Sequence, residues 1–341
     1  MPLPIKSRFS IYGAAVAISS GCARINDALG LFLRPFELKR NGGEGLETIG
    51  EIRQFELGEV TRSLLSAGET ERRSDPLVAI YSCGERHWVL DDRWGVCEID
   101  LLRHRWRSWV LPHTSLDAVQ LVESAVMQPM AQLLRPRGVE LMPAVSLERG
   151  GWAALVVAPY PITSEISRAI RAGYRVIGQR WTALLRKSDR IVLRHVPGVM
   201  ELPRGSGKWI GKSIEWKDVT GDNPRAAAET AWCDAVVTVG AGRRSRSCGR
   251  IVPAHEARGL LRRARTISPL PLDWACLQQC APALAQRCMC MHVELSRHEE
   301  EFLQLLEILR KRTAQRVEVS VFGAAAVRGN QGIGIRIAGK N

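Results

Sequence analysis

Lysine is scarce in this chain. Eight of its 48 basic residues are Lys and the rest are Arg, set against 35 acids, for a formal net charge of +13 over 341 residues. Long apolar runs are missing too: no stretch of about 18 apolar residues occurs, so the sequence writes no membrane-spanning helix. Nine cysteines are too few for a disulfide scaffold, and their odd number fits free thiols in a reducing cytoplasm. No internal repeat is visible. What is present, 45% hydrophobic and 24% charged residues, excludes disordered, collagen-like and low-complexity classes. The length suggests about two domains. An apolar stretch, Ile11 to Ile18, follows Lys6 and Arg8. It is short and contains Gly13, so it reads as a first strand rather than a leader.

The charge is concentrated. Residues 241–270 hold Arg243, Arg244, Arg246, Arg250, Arg258, Arg262, Arg263 and Arg265 against the single acid Glu256. A second basic stretch, Arg204 to Ser213, carries Arg204, Lys208 and Lys212. Such segments attract phosphates or acidic proteins. The 241–270 segment lacks interleaved aromatics and matches no nucleic-acid module, which argues against base stacking. The residues expected to meet a partner are therefore Arg204, Lys208, Lys212, Arg243, Arg244, Arg246, Arg250, Arg262 and Arg263.

Along the chain the pattern changes once. Residues 1–112 read as short strands punctuated by Gly, Asp and Pro, with hairpins through Leu77–Cys83, His87–Asp92 and Trp94–Leu102, forming a small β-rich domain. Residues 113–137 read as a linking helix capped by Thr114 or Ser115, with Ala118, Val119, Val122, Val126, Met130 and Leu133 or Leu134 on its apolar side and Pro136 and Gly138 as its stop. Residues 138–315 alternate apolar strands with helices, as a sheet buried on both faces does. These include the strand LMPAVSL, the turn Gly150-Gly151, the strand Trp152–Ala158, a helix over 164–171 capped by Thr163 and Ser164, YRVIG, DAVVTVG, a helix in LDWACLQQCAPALAQR, the strand CMCMHVELS and a terminal helix HEEEFLQLLEILRKR. Residues 316–341 read as a hairpin or tail turning near Gly329-Asn330. The expected fold class is α/β, a small β-rich domain before a core whose mixed sheet is flanked by helices.

This order of elements, with the Gly-Gly turn, "GYRV" at 173–176 and "DAVV" at 234–237, resembles the HPr kinase/phosphorylase-related family. The resemblance implies a phosphoenolpyruvate-carboxykinase-like core of the phosphate-loop type, and it is specific only over Leu133–Leu185. Its framework agrees and its chemistry does not. Counting back from Gly173-Tyr174, Ala158, Pro159, Tyr160 and Pro161 stand where the family has a glycine-rich loop, and Ile162, Thr163 and Ser164 stand where it has Lys, Ser or Thr, and Thr. A phosphate cradle needs glycines for backbone approach, free N–H groups and a lysine. Two of these positions are prolines, which have no N–H. Gln179 and Arg180 replace the paired aspartates that would hold Mg²⁺ and act as base, and Pro143 and Val145 replace the family's histidine and serine. The stretch Arg204–Ser213 does not supply the lost loop: with four residues needed between the first glycine and Gly211-Lys212-Ser213, that glycine's place is taken by Ser206.

The expected function is that of a catalytically degenerate relative, a pseudokinase serving as a binding or scaffold module for an acidic protein or peptide, with no cofactor. Two other readings stand beside it: an active serine kinase on a protein or peptide, using ATP and Mg²⁺, and a basic nucleic-acid-binding protein. Self-association is compatible with each. The remaining chemistry reads as structural. Cys276 and Cys280 on a helix with Cys288, Cys290 and His292 on one strand face do not have zinc-knuckle spacing, and Cys233 and Cys248 are incidental. His87, His104, His113, His195, His255 and His298 lack a nucleophile and acid at a useful spacing. Trp88, Trp94, Trp106 and Trp109 read as core.

Overall fold

The computed structural model describes residues 5–33, 47–65, 70–75, 77–159, 162–178, 181–196, 200–201, 213–214, 230–240, 247–264, 280–295, 300–322 and 334–336. They fall into two compact units, the first within Met1–Leu141 and the second within Met142–Ile267 and Leu277–Asn341. The class is mixed α/β.

In the first unit the strands are β1 (Ile5–Ile11), β2 (Ala14–Ser20), β3 (Thr48–Gln54), β4 (Thr70–Asp75), β5 (Val78–Cys83), β6 (Arg86–Asp91), β7 (Gly95–Asp100) and β8 (Arg105–Val110). Among the described residues they form one sheet in the order β1-β2-β3-β8-β7-β6-β5-β4, parallel only at β2–β3 and β3–β8. The three hairpin strands read from alternation are β5, β6 and β7. The stretch from Ile11 to Ile18 is two strands and not one: Tyr12 and Gly13 both take positive φ, 51° and 91°, which turns the chain tightly between β1 and β2.

The helices of this unit are α1 (Ala23–Leu33), α2 (Leu57–Leu64) and an interrupted helix. The interrupted helix consists of α3 (Ala118–Val122), a π-helical turn Glu123–Met127 and α4 (Gln128–Leu134). Its cap is Asp117, whose carboxylate accepts from the Gln120 N–H at 2.8 Å while the Gln120 side chain accepts from the Asp117 N–H. Thr114, expected to cap, instead donates to the Arg93 carbonyl at 2.7 Å. The interruption follows from Pro129. Without an N–H it cannot bond the Ala125 carbonyl four residues back. That carbonyl accepts from Ser108 Oγ at 2.7 Å and from Trp106 Nε1 at 3.2 Å. Gly138, with φ 77°, ends the helix as expected.

The four tryptophans are all buried. Trp88 Nε1 donates to Ser63 Oγ and Trp109 Nε1 to Glu59 Oε2, so two indoles fasten α2 to the sheet while Val60 packs on Val96 and Trp109. His87 is enclosed as well: Nδ1 lies 2.8 Å from Ser82 Oγ, and Nε2 is buried without a hydrogen-bond partner. Burial lowers its pKa, against a smaller opposing effect of Glu85. The unfolded chain therefore takes up a proton near pH 6.5 that the folded unit refuses. Stability is expected to be level above that pH and to fall below it, by at most about 1.4 kcal/mol per pH unit for one proton. Urea midpoints at pH 5 and pH 7.5 check this: the wild-type difference should shrink in His87→Leu, and an unchanged difference refutes the assignment.

Where the first unit gives way to the second, LMPAVSL is divided at Pro143 into β9 (Val139–Met142), which lies in the first unit except for Met142, and β10 (Val145–Arg149), since proline cannot donate to a ladder. The later strands are β11 (Trp152–Val157), β12 (Arg175–Gly178), β13 (Thr182–Lys187), β14 (Arg190–His195), β15 (Met200–Glu201), β16 (Ser213–Ile214), β17 (Thr230–Trp232), β18 (Ala235–Val239), β19 (Cys248–Ile251), β20 (Met289–Glu294) and β21 (Gly334–Arg336). The main sheet runs β12-β10-β11-β18-β20-β19-β21 among the described residues, with β11, β18 and β20 mutually parallel. Its helices are α5 (Thr163–Arg171), α6 (Ala254–Ala264), α7 (Cys280–Arg287) and α8 (Glu300–Phe322).

The sheet is buried on both faces, as the unbroken apolar strands implied. Leu155, Val236 and Cys290 pack with Leu261 of α6 and Leu284 of α7. Val156, Val237 and Val293 pack on the other face with Ile166 of α5 and Phe302 and Leu309 of α8. Gly150 and Gly151 turn β10 into β11 with φ 59° and 83°. One sequence expectation fails here. The helix expected to stop near Arg312 runs on to Phe322 through residues that alternate like a strand, because extending a helix adds a bond per residue without a new nucleus. β21 pairs with β19, while the expected turn at Gly329-Asn330 lies outside the described residues, as does the 272–279 part of the stretch expected to form a helix, of which α7 is the described portion.

Candidate functional site

In a sheet of this kind ligands bind beyond the carboxyl ends of the parallel strands, which here means the ends of β11, β18 and β20. β11 is buried throughout, Ala158 is half-buried and Pro159 exposed, and Tyr160 and Pro161 lie outside the described residues. Ile162 occupies the N-cap position of α5 with φ −115° and ψ 43° and gives no side-chain cap. Its own side chain is 2% exposed and packs in the core with Ile166, Ala169 and Tyr174. The cap expected from Thr163 and Ser164 is thus replaced: Ser164 Oγ donates to Glu165 Oε2 at 2.7 Å, and Glu165 is 2% exposed in the first helical turn. A carboxyl group there satisfies the positive end of the helix dipole, the feature an anionic ligand would otherwise use.

The neighbouring strand ends carry a polar row. The register aligns Val157, Thr238, His292 and Arg250 across four strands. Thr238 Oγ1 lies 3.0 Å from His292 Nδ1, and His292 Nε2 lies 3.3 Å from Glu294 Oε1. A ring with its proton on Nε2 satisfies both contacts, accepting from the threonine and donating to the carboxylate. Gly240 is what lets Glu294 lie there, since a β-carbon on it would stand 2.5 Å from Oε1. The trio has the residue types of a hydrolase triad in the wrong order of exposure. Thr238 is buried, whereas His292 and Glu294 side chains are 16% and 25% exposed, so the hydroxyl that should meet a substrate is the most enclosed of the three. The row is a locked polar cluster.

Arg250, expected to face a partner, has its guanidinium engaged by both carboxylate oxygens of Glu256. The hydrogen bond from Arg250, with its charge, holds the Glu256 carboxyl below the usual range, against the smaller opposing effect of burial. Arg262 and Arg263 fall in the last turn of α6. Arg204, Lys208, Lys212, Arg243, Arg244, Arg246, Gln179 and Arg180 lie outside the described residues. Cys280, Cys288 and Cys290 are core thiols; Cys288 donates to the Cys233 carbonyl at 3.2 Å, and the Cys288 contact together with burial pushes the Cys233 thiol up. Cys276 lies outside the described residues, and among those described no three His, Cys, Asp or Glu side chains gather to hold a metal.

Sequence reasoning missed Thr238, Gly240 and Glu294. The spacing His292-x-Glu294 on a strand places two titratable groups on one face and was available as a signal; the pairing with Thr238 depends on strand register and was not.

No protein-family model matches the chain. No curated protein matches it either. Among solved structures it is similar to the Hpr(Ser) kinase/phosphatase from Coxiella burnetii, with a TM-score of 0.31 and 13% identity, over 52% of this chain and 99% of that one.

Proposed function

We propose that this protein is a non-catalytic binding module, a degenerate relative of the HPr kinase-related proteins that recognises an acidic protein or peptide. The observation that carries the reading is the turn from β11 into α5: an aliphatic side chain sunk in the core at Ile162, where the resemblance puts the phosphate-binding lysine, followed by the buried carboxyl of Glu165. Both disfavour a phosphate at that helix end. The arginine-dense segment 241–265 then has recognition rather than catalysis as its role.

Two measurements test this. Millimolar ATP with Mg²⁺ should leave the melting temperature unchanged, whereas a saturable, Mg²⁺-dependent rise equivalent to about 2.7 kcal/mol at a hundredfold excess over Kd would restore the kinase reading. Labelled poly-L-glutamate should bind, with affinity falling as salt rises. Replacing Arg243, Arg244 and Arg246 together by Ala should weaken it about tenfold, and equal binding by that variant removes the segment from the reading.

A further inference from the structure

We infer that a second acid-binding surface lies around the turn between β13 and β14, with Arg190 stacked on Trp232 as its anchor, and that an acidic peptide of the partner lies across it. The inference rests on the proposal that the partner is acidic and adds a place of contact that the arginine-dense segment does not include.

Lys187 and Arg190 face each other across the two strands, and Ser188 closes the turn with φ 56°. β17 pairs with β14 so that Trp232 stands opposite Val192. Trp232 is 40% exposed, the only aromatic among the large exposed apolar side chains of the described residues. The Arg190 guanidinium carbon lies 4.7 Å from its ring centroid. Stacking engages the face of a guanidinium and leaves its N–H edge in plane, the edge that binds a carboxylate in a two-pronged fashion. Among the described residues the acid that reaches that edge is Asp234, at a marginal 3.5 Å, and its other oxygen already accepts from the Ala153 N–H. Arg190 is therefore held in place by the indole with donors to spare.

Further cations surround it. Lys187, on the same face of the strand pair, is exposed, and Arg287 reaches Asp189 at 3.2 Å with both side chains 60% exposed. A pair so open to water holds weakly and exchanges readily for another carboxylate. Lys187, Arg190 and Arg287 against Asp189 and Asp234 complement a run of acids. The alternative, single-stranded nucleic acid, is disfavoured here: successive bases need successive rings, and among the described residues the one exposed ring, Trp232, has a face covered by Arg190.

The test is binding of labelled poly-L-glutamate and of oligo(dT) to the full chain at fixed salt. Arg190→Ala and Trp232→Ala are each expected to weaken poly-L-glutamate about tenfold, and Lys187→Glu, at an exposed turn, to weaken it by a similar factor with no change in melting temperature. Wild-type-like binding by all three variants overturns the surface while leaving the broader proposal standing. Failure of the wild type to bind poly-L-glutamate at all sinks both. Tighter binding of oligo(dT), lost in Trp232→Ala, would replace the acidic peptide by a nucleic acid.

Discussion

Replacing Trp106 by alanine is expected to cost the first unit about 3–5 kcal/mol, the range for deleting a buried aromatic whose surroundings cannot collapse into the space. The indole is 1% exposed, and it lies directly against Gly50, where any β-carbon would overlap the ring. It also ties the sheet to the interrupted helix by donating to the Ala125 carbonyl that Pro129 leaves without its usual partner. Trp106→Phe should lose only about 1–2 kcal/mol, since Ser108 Oγ still satisfies that carbonyl. Gly50→Val supplies the sharper test. Alone it must displace the indole and destabilise severely; in the Trp106→Ala background the new side chain enters the vacated space, so the double variant should be more stable than the sum of the single losses implies. Additive losses in a denaturant cycle would show that the two residues do not share this volume.

That pair illustrates what a sequence makes legible. Alternation along VAIYSC and RHWVLD is a local signal, and it placed β5 and β6 because each residue's side of the sheet follows from its position in the strand. The unbroken apolar runs WAALVV and AVVTV announced strands covered on both faces for the same reason. The break at Pro129 was equally local, yet its consequence was not. Which groups satisfy the Ala125 carbonyl depends on Trp106 and Ser108, and nothing in the spacing says they face it.

The candidate site divides along the same line. That no glycine or lysine stands at Ala158, Pro159 and Ile162 is legible in those residues themselves. The burial of Glu165 is tertiary, because it depends on how α5 packs. Thr238 meets His292 through the parallel register of β18 and β20, and Arg190 meets Trp232 because β17 returns beside β14. Register is set by whole strands, so such partners emerge only once the sheet is assembled.

Two glycines of the first unit separate backbone conformation from crowding and give the last expected result. Gly84, in the turn between β5 and β6, has φ 57° and open space where a β-carbon would go. Gly84→Ala should therefore cost only the left-handed penalty, roughly 1–2 kcal/mol. Gly95 has φ 141°, and a β-carbon there would overlap the Trp109 carbonyl oxygen of the adjoining strand. It pairs with Val110 in the β7–β8 ladder, beside the bond from the Leu111 N–H to the Trp94 carbonyl. Backbone cannot swing aside as a side-chain tip can, so Gly95→Ala must open this end of the ladder and expose strained, unpaired groups, at a loss above about 3 kcal/mol. Hydrogen exchange should locate that loss at β7 and β8, with the Gly84→Ala variant protected there as in the wild type. Equal losses for the two variants would mean that φ alone, and not the close approach to Trp109, demands glycine at position 95.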